Sequence, residues 1–192
     1  MVATTIAAVR GDRHGSLARM ALWHLAGLIG GATVLAVAVA QLGAVLPLPR
    51  PALAGVLGAL ALVAGAAGLA GRSIPVASTR AQVPKAWSVT MEPAQYAFTY
   101  GLGLGVGVAT RIPSWSLHLL LGILLIQGDP VAAALVGPVY GISRGLPVVV
   151  SSATARSSQD VLATLERLRG AAFKTDGWIT AAIGALMVAA SA

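Results

Sequence analysis

No cysteine occurs anywhere in the chain. That absence removes disulfides, thiolate metal sites and thiol redox chemistry at once. Acids are almost as scarce. There are six Asp and Glu among 192 residues, and charged residues of both signs make up only 10%. An average soluble domain carries about 25%. A chain this short leaves a large share of its surface wet when it folds in water, and there is too little charge here to cover that surface. Histidine is sparse as well. His14, His24 and His118 stand far apart without ligand spacing, which argues against a transition-metal site. The apolar runs hold no acid–base pair, nucleophile–base pair or metal cluster, so neither an enzyme nor a cofactor carrier is expected.

What remains is apolar. Hydrophobic residues make up 57% of the chain, and the mean hydropathy is +0.83. The lipid bilayer is the natural solvent for such a composition. The length fits one transmembrane domain, residues 19–192, behind a short cytoplasmic arm, residues 1–18. The net charge of +7 invites a nucleic-acid reading. The thirteen Lys and Arg form no stripe for a phosphate backbone, however, and no nucleic-acid partner is expected. They cluster in short segments between apolar runs, as topology signals do.

A spanning helix needs about 20 mostly apolar residues. Four segments meet or approach this directly: Leu17–Leu46, Pro51–Gly71, Val131–Ser152 and the short C-terminal Gly177–Ala192. The region Ala94–Gln127 is harder. As one straight helix its 34 residues would reach roughly 50 Å, too long for a ~30 Å hydrocarbon core. Two separate spans would each be too short. One span broken at Arg111-Ile112-Pro113 fits, because proline removes a backbone donor and clashes with the preceding turn. The expected fold is therefore an all-α polytopic membrane bundle of about five helices, the third broken at a proline.

Loop charge orients it. Arg10, Arg13, Arg19, Arg72, Arg80, Lys85, Arg156, Arg167, Arg169 and Lys174 all fall on one side if five helices alternate. The N-terminus is then cytoplasmic and the C-terminus outside, in an inner membrane. Arginines followed by an apolar run and Ala38-Val39-Ala40 imitate a secretory signal. The run is longer than a usual signal core, so a span is preferred over a cleaved leader.

Small residues recur at helix-packing spacing: Gly27 and Gly31, Ala54 and Gly58, Ala61 and Gly65, Gly101 and Gly105, Gly103 and Gly107. In lipid, close backbone approach at such residues holds helices together. The Gly101–Gly107 run also imitates a dinucleotide loop, but it lacks a preceding strand and a following acid.

Two arginines lie inside apolar segments, Arg111 at the proposed break and Arg144 near the middle of the fourth span. A charge there costs several kcal/mol and usually faces a bundle interior or a water-filled cavity. Three roles are open: holding carbonyls freed by Pro113, Pro138 and Pro147, snorkelling to the interface, or binding an anionic solute. Ser114, Trp115 and His118 would share one helix face, giving His118 access to a polar centre as a proton carrier. The other reading of His118 is a histidine bonded to neighbouring backbone. Tyr96, Thr99 and Tyr100, with Trp23, Trp87, Trp115 and Trp178, read as interface anchors. The stretch Ser157–Leu168 carries Val161, Leu162, Leu165 and Leu168 at helical spacing, as a short surface helix would.

Two segments carry a resemblance, FTYGLGLGVGVATRIP and, after an apolar stretch, GDPVAAALVGPVYGISRGLPVVV. Together they resemble the second half of the cytochrome c biogenesis transmembrane family (CcdA/DsbD type, within the LysE-like transporter superfamily). The matching positions are Gly101, Gly103, Gly105, Thr110, Pro113, Tyr140, Gly141, Gly145 and Pro147. Residues 19–71 and 160–192 are similar to the family's remaining helices, so the likeness covers most of the chain. It implies a six-helix ancestor of which the first helix is missing here. The family's redox members place cysteine at the break, where this chain has Thr110-Arg111-Ile112-Pro113, so thiol–disulfide transfer is unavailable to it. The resemblance then implies export of a small solute. Arg111, Pro113, His118, Tyr140 and Arg144 are the candidate path. The alternative is a non-catalytic assembly or scaffold subunit in cytochrome or redox maturation, recruiting a membrane partner or a second copy of itself.

Overall fold

A computed structural model describes residues 14–72, 74, 87–107, 115–154 and 158–191. Seven helices occupy the described residues: α1 (His14–Val45), α2 (Arg50–Leu69), α3 (Trp87–Thr90), α4 (Pro93–Gly105), α5 (Trp115–Gln127), α6 (Pro130–Thr154) and α7 (Ser158–Ser191). No strand occurs among them. Three stretches are long and apolar enough to cross a membrane: Ala18–Val45, Arg50–Leu69 and Pro130–Ser151. The molecule is a helical membrane protein. Large apolar side chains such as Leu22, Val34, Val63 and Val139 face outward on these helices, as Leu186 does on α7. Their faces are the ones lipid would cover.

Helix ends follow local chemistry. Pro51 opens α2 and Pro93 opens α4, where proline's missing N–H costs nothing. The Asp129 carboxylate caps α6, accepting the N–H groups of Val131 at 2.9 Å and Ala132 at 3.1 Å. Gly128 just before it has φ of +63°, and Gly107 just after α4 has φ of +76°. Side chains other than glycine rarely tolerate that region.

The chain divides into two compact units, with α1, α6 and α7 contributing to both. In the first unit α4 and α6 lie against the first half of α1. The glycines of α4 interlock with those of α1: an added methyl at Gly27 would collide with the Phe98 carbonyl, one at Gly31 with that of Leu102, and one at Gly101 with that of His24. The rising numbers on both sides make α4 parallel to α1. On the other flank Gly137 faces Thr33, Gly141 faces Ile29 and Gly145 faces Leu25, so α6 runs antiparallel. At Gly141 a methyl would sit 2.7 Å from the Ile29 Cα.

In the second unit α5 lies along the other half of α1, where Leu124 packs with Ala36, Ala40 and Ala133. Leu125 meets Gly43, and α5 is likewise parallel to α1. The helix α2 packs antiparallel on α7, with Gly58 against Gly184 and Gly65 against Ala181.

Three expectations change. The region 94–127 contains two helices of 13 residues each, and the first ends at Gly105, earlier than Arg111. Arg111 and Pro113 lie outside the described residues. Next, the surface helix at 157–168 and the C-terminal span are one continuous α7 of 34 residues. No proline falls inside it, and Leu, Ala, Glu, Lys and Arg are good helix formers in water and lipid alike. Asp160, Glu166 and Asp176 therefore sit on a helix and not in a loop. Finally, Tyr96 and Tyr100 are buried and not interface anchors.

Candidate functional site

The strongest concentration of polar and aromatic groups lies in the first unit. His24 is 2% exposed on α1, beside the fully buried Ala21. It fits because Gly101 stands opposite: a methyl there would lie 3.1 Å from the His24 Nδ1 and collide with the His24 carbonyl. The imidazole is hydrogen-bonded to the backbone of Ala97. Its ring lies 5.7 Å from that of Tyr100, and Tyr100 lies 6.1 Å from Tyr96, both pairs tilted by about 30°. Those separations suit favourable aromatic contact. Trp23 meets Phe98 edge-on at 6.3 Å. Spacing of four places Tyr96 and Tyr100 on one face of α4, and Tyr100 packs with Leu28 and Leu104 in one apolar cluster.

Arg144 completes the group from α6. Its Nη1 donates to the Tyr140 Oη at 3.0 Å, one turn back along the same helix. The guanidinium acts electrostatically on both His24 and Tyr100. Among the described residues no acid pairs with it. Mid-helix hydroxyls close onto their own backbone: Thr33 donates to the Ile29 carbonyl at 2.7 Å, Ser143 to Tyr140 at 2.9 Å and Ser151 to Pro147 at 2.6 Å. In an apolar solvent that is how such groups are satisfied without water.

Of the sequence-derived path residues, the structure brings Tyr140 and Arg144 together. His118 belongs to the second unit, where its ring lies 6.4 Å from Trp115. The shared face expected of Trp115 and His118 is present on α5. Arg111, Pro113 and Ser114 lie outside the described residues. His24, Tyr96 and Tyr100 were not expected at a polar centre. The available signal was the facing glycine pairs, Gly27 and Gly31 with Gly101 and Gly105, which bring α1 and α4 together along the length that carries His24 and the tyrosines.

Chemically the cluster is a polar knot tied within the helices. It has ring stacking, one cation with a phenol acceptor, and a buried imidazole tied to backbone. No group of three or more His, Cys, Asp or Glu that could hold a metal occurs among the described residues.

No family model matches the chain, and no solved structure matches it. Two curated proteins do, both named methylamine utilization protein MauF. The chain is 28% identical over 163 residues to the one from Methylobacillus flagellatus, covering 84% of this chain and 57% of that protein. It is 31% identical over 110 residues to the one from Methylophilus methylotrophus, covering 57% of this chain and 38% of that protein. The chain thus spans about half the length of the curated relatives it matches. Both carry the name of methylamine utilization and not of cytochrome c biogenesis.

Proposed function

We propose that this chain is a multi-pass inner-membrane accessory protein of methylamine utilization, a non-catalytic subunit that holds or helps assemble a membrane partner. The context comes from the two relatives' names. The choice of scaffold over transporter rests on one observation: the polar groups of the intramembrane cluster around His24 and Arg144 bond to one another and to backbone. Arg144 bonds to Tyr140, His24 bonds to the Ala97 backbone, and glycine-to-backbone contacts seat α4 and α6 directly against α1. A transport path through this unit would need a polar surface with space beside it.

The topology we adopt has five traverses, with the N-terminus cytoplasmic and the C-terminus outside. A helix of 13 residues reaches only ~20 Å, short of the ~30 Å core. Both α4 and α5 run in the direction of α1, one beside its first half and the other beside its second. Counted as one interrupted traverse, they make five with α1, α2, α6 and the apolar end of α7. The basic segments then share the cytoplasmic face.

The test is genetic and biochemical. Deletion should abolish growth on methylamine and spare growth on other substrates. A tagged chain should bring down a fixed membrane protein in constant ratio. Unimpaired growth on methylamine would overturn the proposal. So would solute uptake by the purified chain in liposomes that is lost in Arg144→Ala and Arg111→Ala, which would restore the transporter reading.

A further inference from the structure

Among the described residues one buried hydroxyl breaks the pattern set by Thr33, Ser143 and Ser151. Thr180 is 1% exposed, and its Oγ1 has no hydrogen-bond partner. A helical threonine ordinarily donates to the carbonyl one turn back, and an unpaired buried polar atom costs about 1–3 kcal/mol. Within the second unit Thr180 is one of the residues around a cavity of about 320 Å³ between the end of α2 and α7, with its Oγ1 turned out of reach of that space. That volume lies at the small end of pockets that hold organic ligands, ~300–1,000 Å³.

The lining has a definite chemistry. Asp176 stands one turn before Thr180 on α7, half-buried, and among the described residues it has no ion-pair partner. The rings of Trp115 and Phe173 form walls. Trp115 is held in place by its indole N–H, which donates to the Ile74 carbonyl at 3.3 Å. Gly68 marks the last turn of α2, which ends at Leu69 without a basic residue. A helix C-terminus carries partial negative charge. Arg72 is at the cavity too, but its side chain is exposed. Carboxylate, helix end and aromatic side chains all favour a cation that can donate hydrogen bonds.

We propose that this cavity binds a small organic ammonium ion. Its nitrogen donates to the Asp176 carboxylate, and its apolar body lies against Trp115 and Phe173. The inference goes beyond the accessory role and does not depend on it: a scaffold can carry a ligand site, and the site can exist without the scaffold. The cavity is too large for the smallest amines to fill, so an alkyl or aryl body is part of the expected ligand. A free amine and the headgroup of phosphatidylethanolamine share the required chemistry.

The probe is phenethylammonium, with phenylacetate as its anionic counterpart, added to the full chain in nonionic detergent while thermal unfolding is followed. Phenethylammonium should raise the Tm saturably, and phenylacetate should not. Asp176→Asn should weaken binding by about tenfold or more, the factor that 1.4 kcal/mol represents. Asp176→Glu, which keeps the charge, should retain part of it and guards against a folding defect. Thr180→Val should leave binding intact and raise the Tm of the ligand-free protein, because it removes the unpaired hydroxyl beside the cavity and no ligand contact. Equal shifts with both probes, no shift with either, or full binding by Asp176→Asn would overturn the proposal. In phosphatidylglycerol nanodiscs, competition by added phosphatidylethanolamine assigns the site to the lipid headgroup. Its absence assigns the site to a free amine.

Discussion

At the scale of single residues, adjacent positions on α1 have opposite fates. A methyl at Gly30 meets nothing within 4 Å, while one at Gly31 runs into the backbone of α4. Gly30→Ala should therefore be neutral or stabilising by up to ~1 kcal/mol, the helix-propensity gain. Gly31→Ala should destabilise by ~1–3 kcal/mol, the usual cost of overpacking against groups that cannot retreat. Thermal unfolding of both variants in one detergent gives the comparison, and equal behaviour would contradict the packing described. The bond between Arg144 and Tyr140 makes a second prediction. Hydrogen bonds to a charged group contribute ~1.5–3 kcal/mol. A double-mutant cycle of Arg144→Met and Tyr140→Phe should return a coupling within or somewhat below that range. Additive effects would mean that the guanidinium serves something else.

At the scale of elements, the cap of α6 and the continuity of α7 can each be measured. Asp129→Ala removes the acceptor for two backbone N–H groups and should cost about 1 kcal/mol. Asp129→Asn should recover most of it. Because α7 passes through the Arg167–Lys174 segment as helix, amide exchange there should be slowed well below coil rates, though less than in the buried part around Thr180. Exchange at coil rates would restore the loop that charge patterning suggested. Gly170 faces open space on this helix, so Gly170→Ala should raise its protection.

At the scale of the whole molecule, the spans were legible because the bilayer dictates them. Long apolar runs such as Ala18–Val45 and Arg50–Leu69 have few alternatives, and Asp129 and Pro130 announce where α6 begins. The packing seams were partly legible, since Gly27, Gly31, Gly101 and Gly105 advertise close approach without naming their partners. The polar cluster was not. A tyrosine near a helix end serves equally as an interface anchor or a buried ring. The fate of Tyr96 and Tyr100 is decided by His24 and Leu28, some seventy residues away. The spacing of Val161, Leu162, Leu165 and Leu168 marked a surface helix, but not that it runs on through the polar residues 169–176 into the C-terminal span, because a helix exposed to water needs no apolar stripe. His118 and Arg144 looked alike as polar residues in apolar runs, yet they belong to different units.

The seam between α2 and α7 has a consequence for how this protein can change over time. Gly58 and Gly184 face one another, and each would strike the other's backbone if enlarged. Most buried contacts can drift because a gain in volume on one side is matched by a loss on the other. Here neither side has volume left to give up. Evolution has no compensating second step at this pair, so lineages can alter it only by moving two helices apart. A search for tolerated variants should find the pair frozen while the lipid-facing residues around it exchange freely.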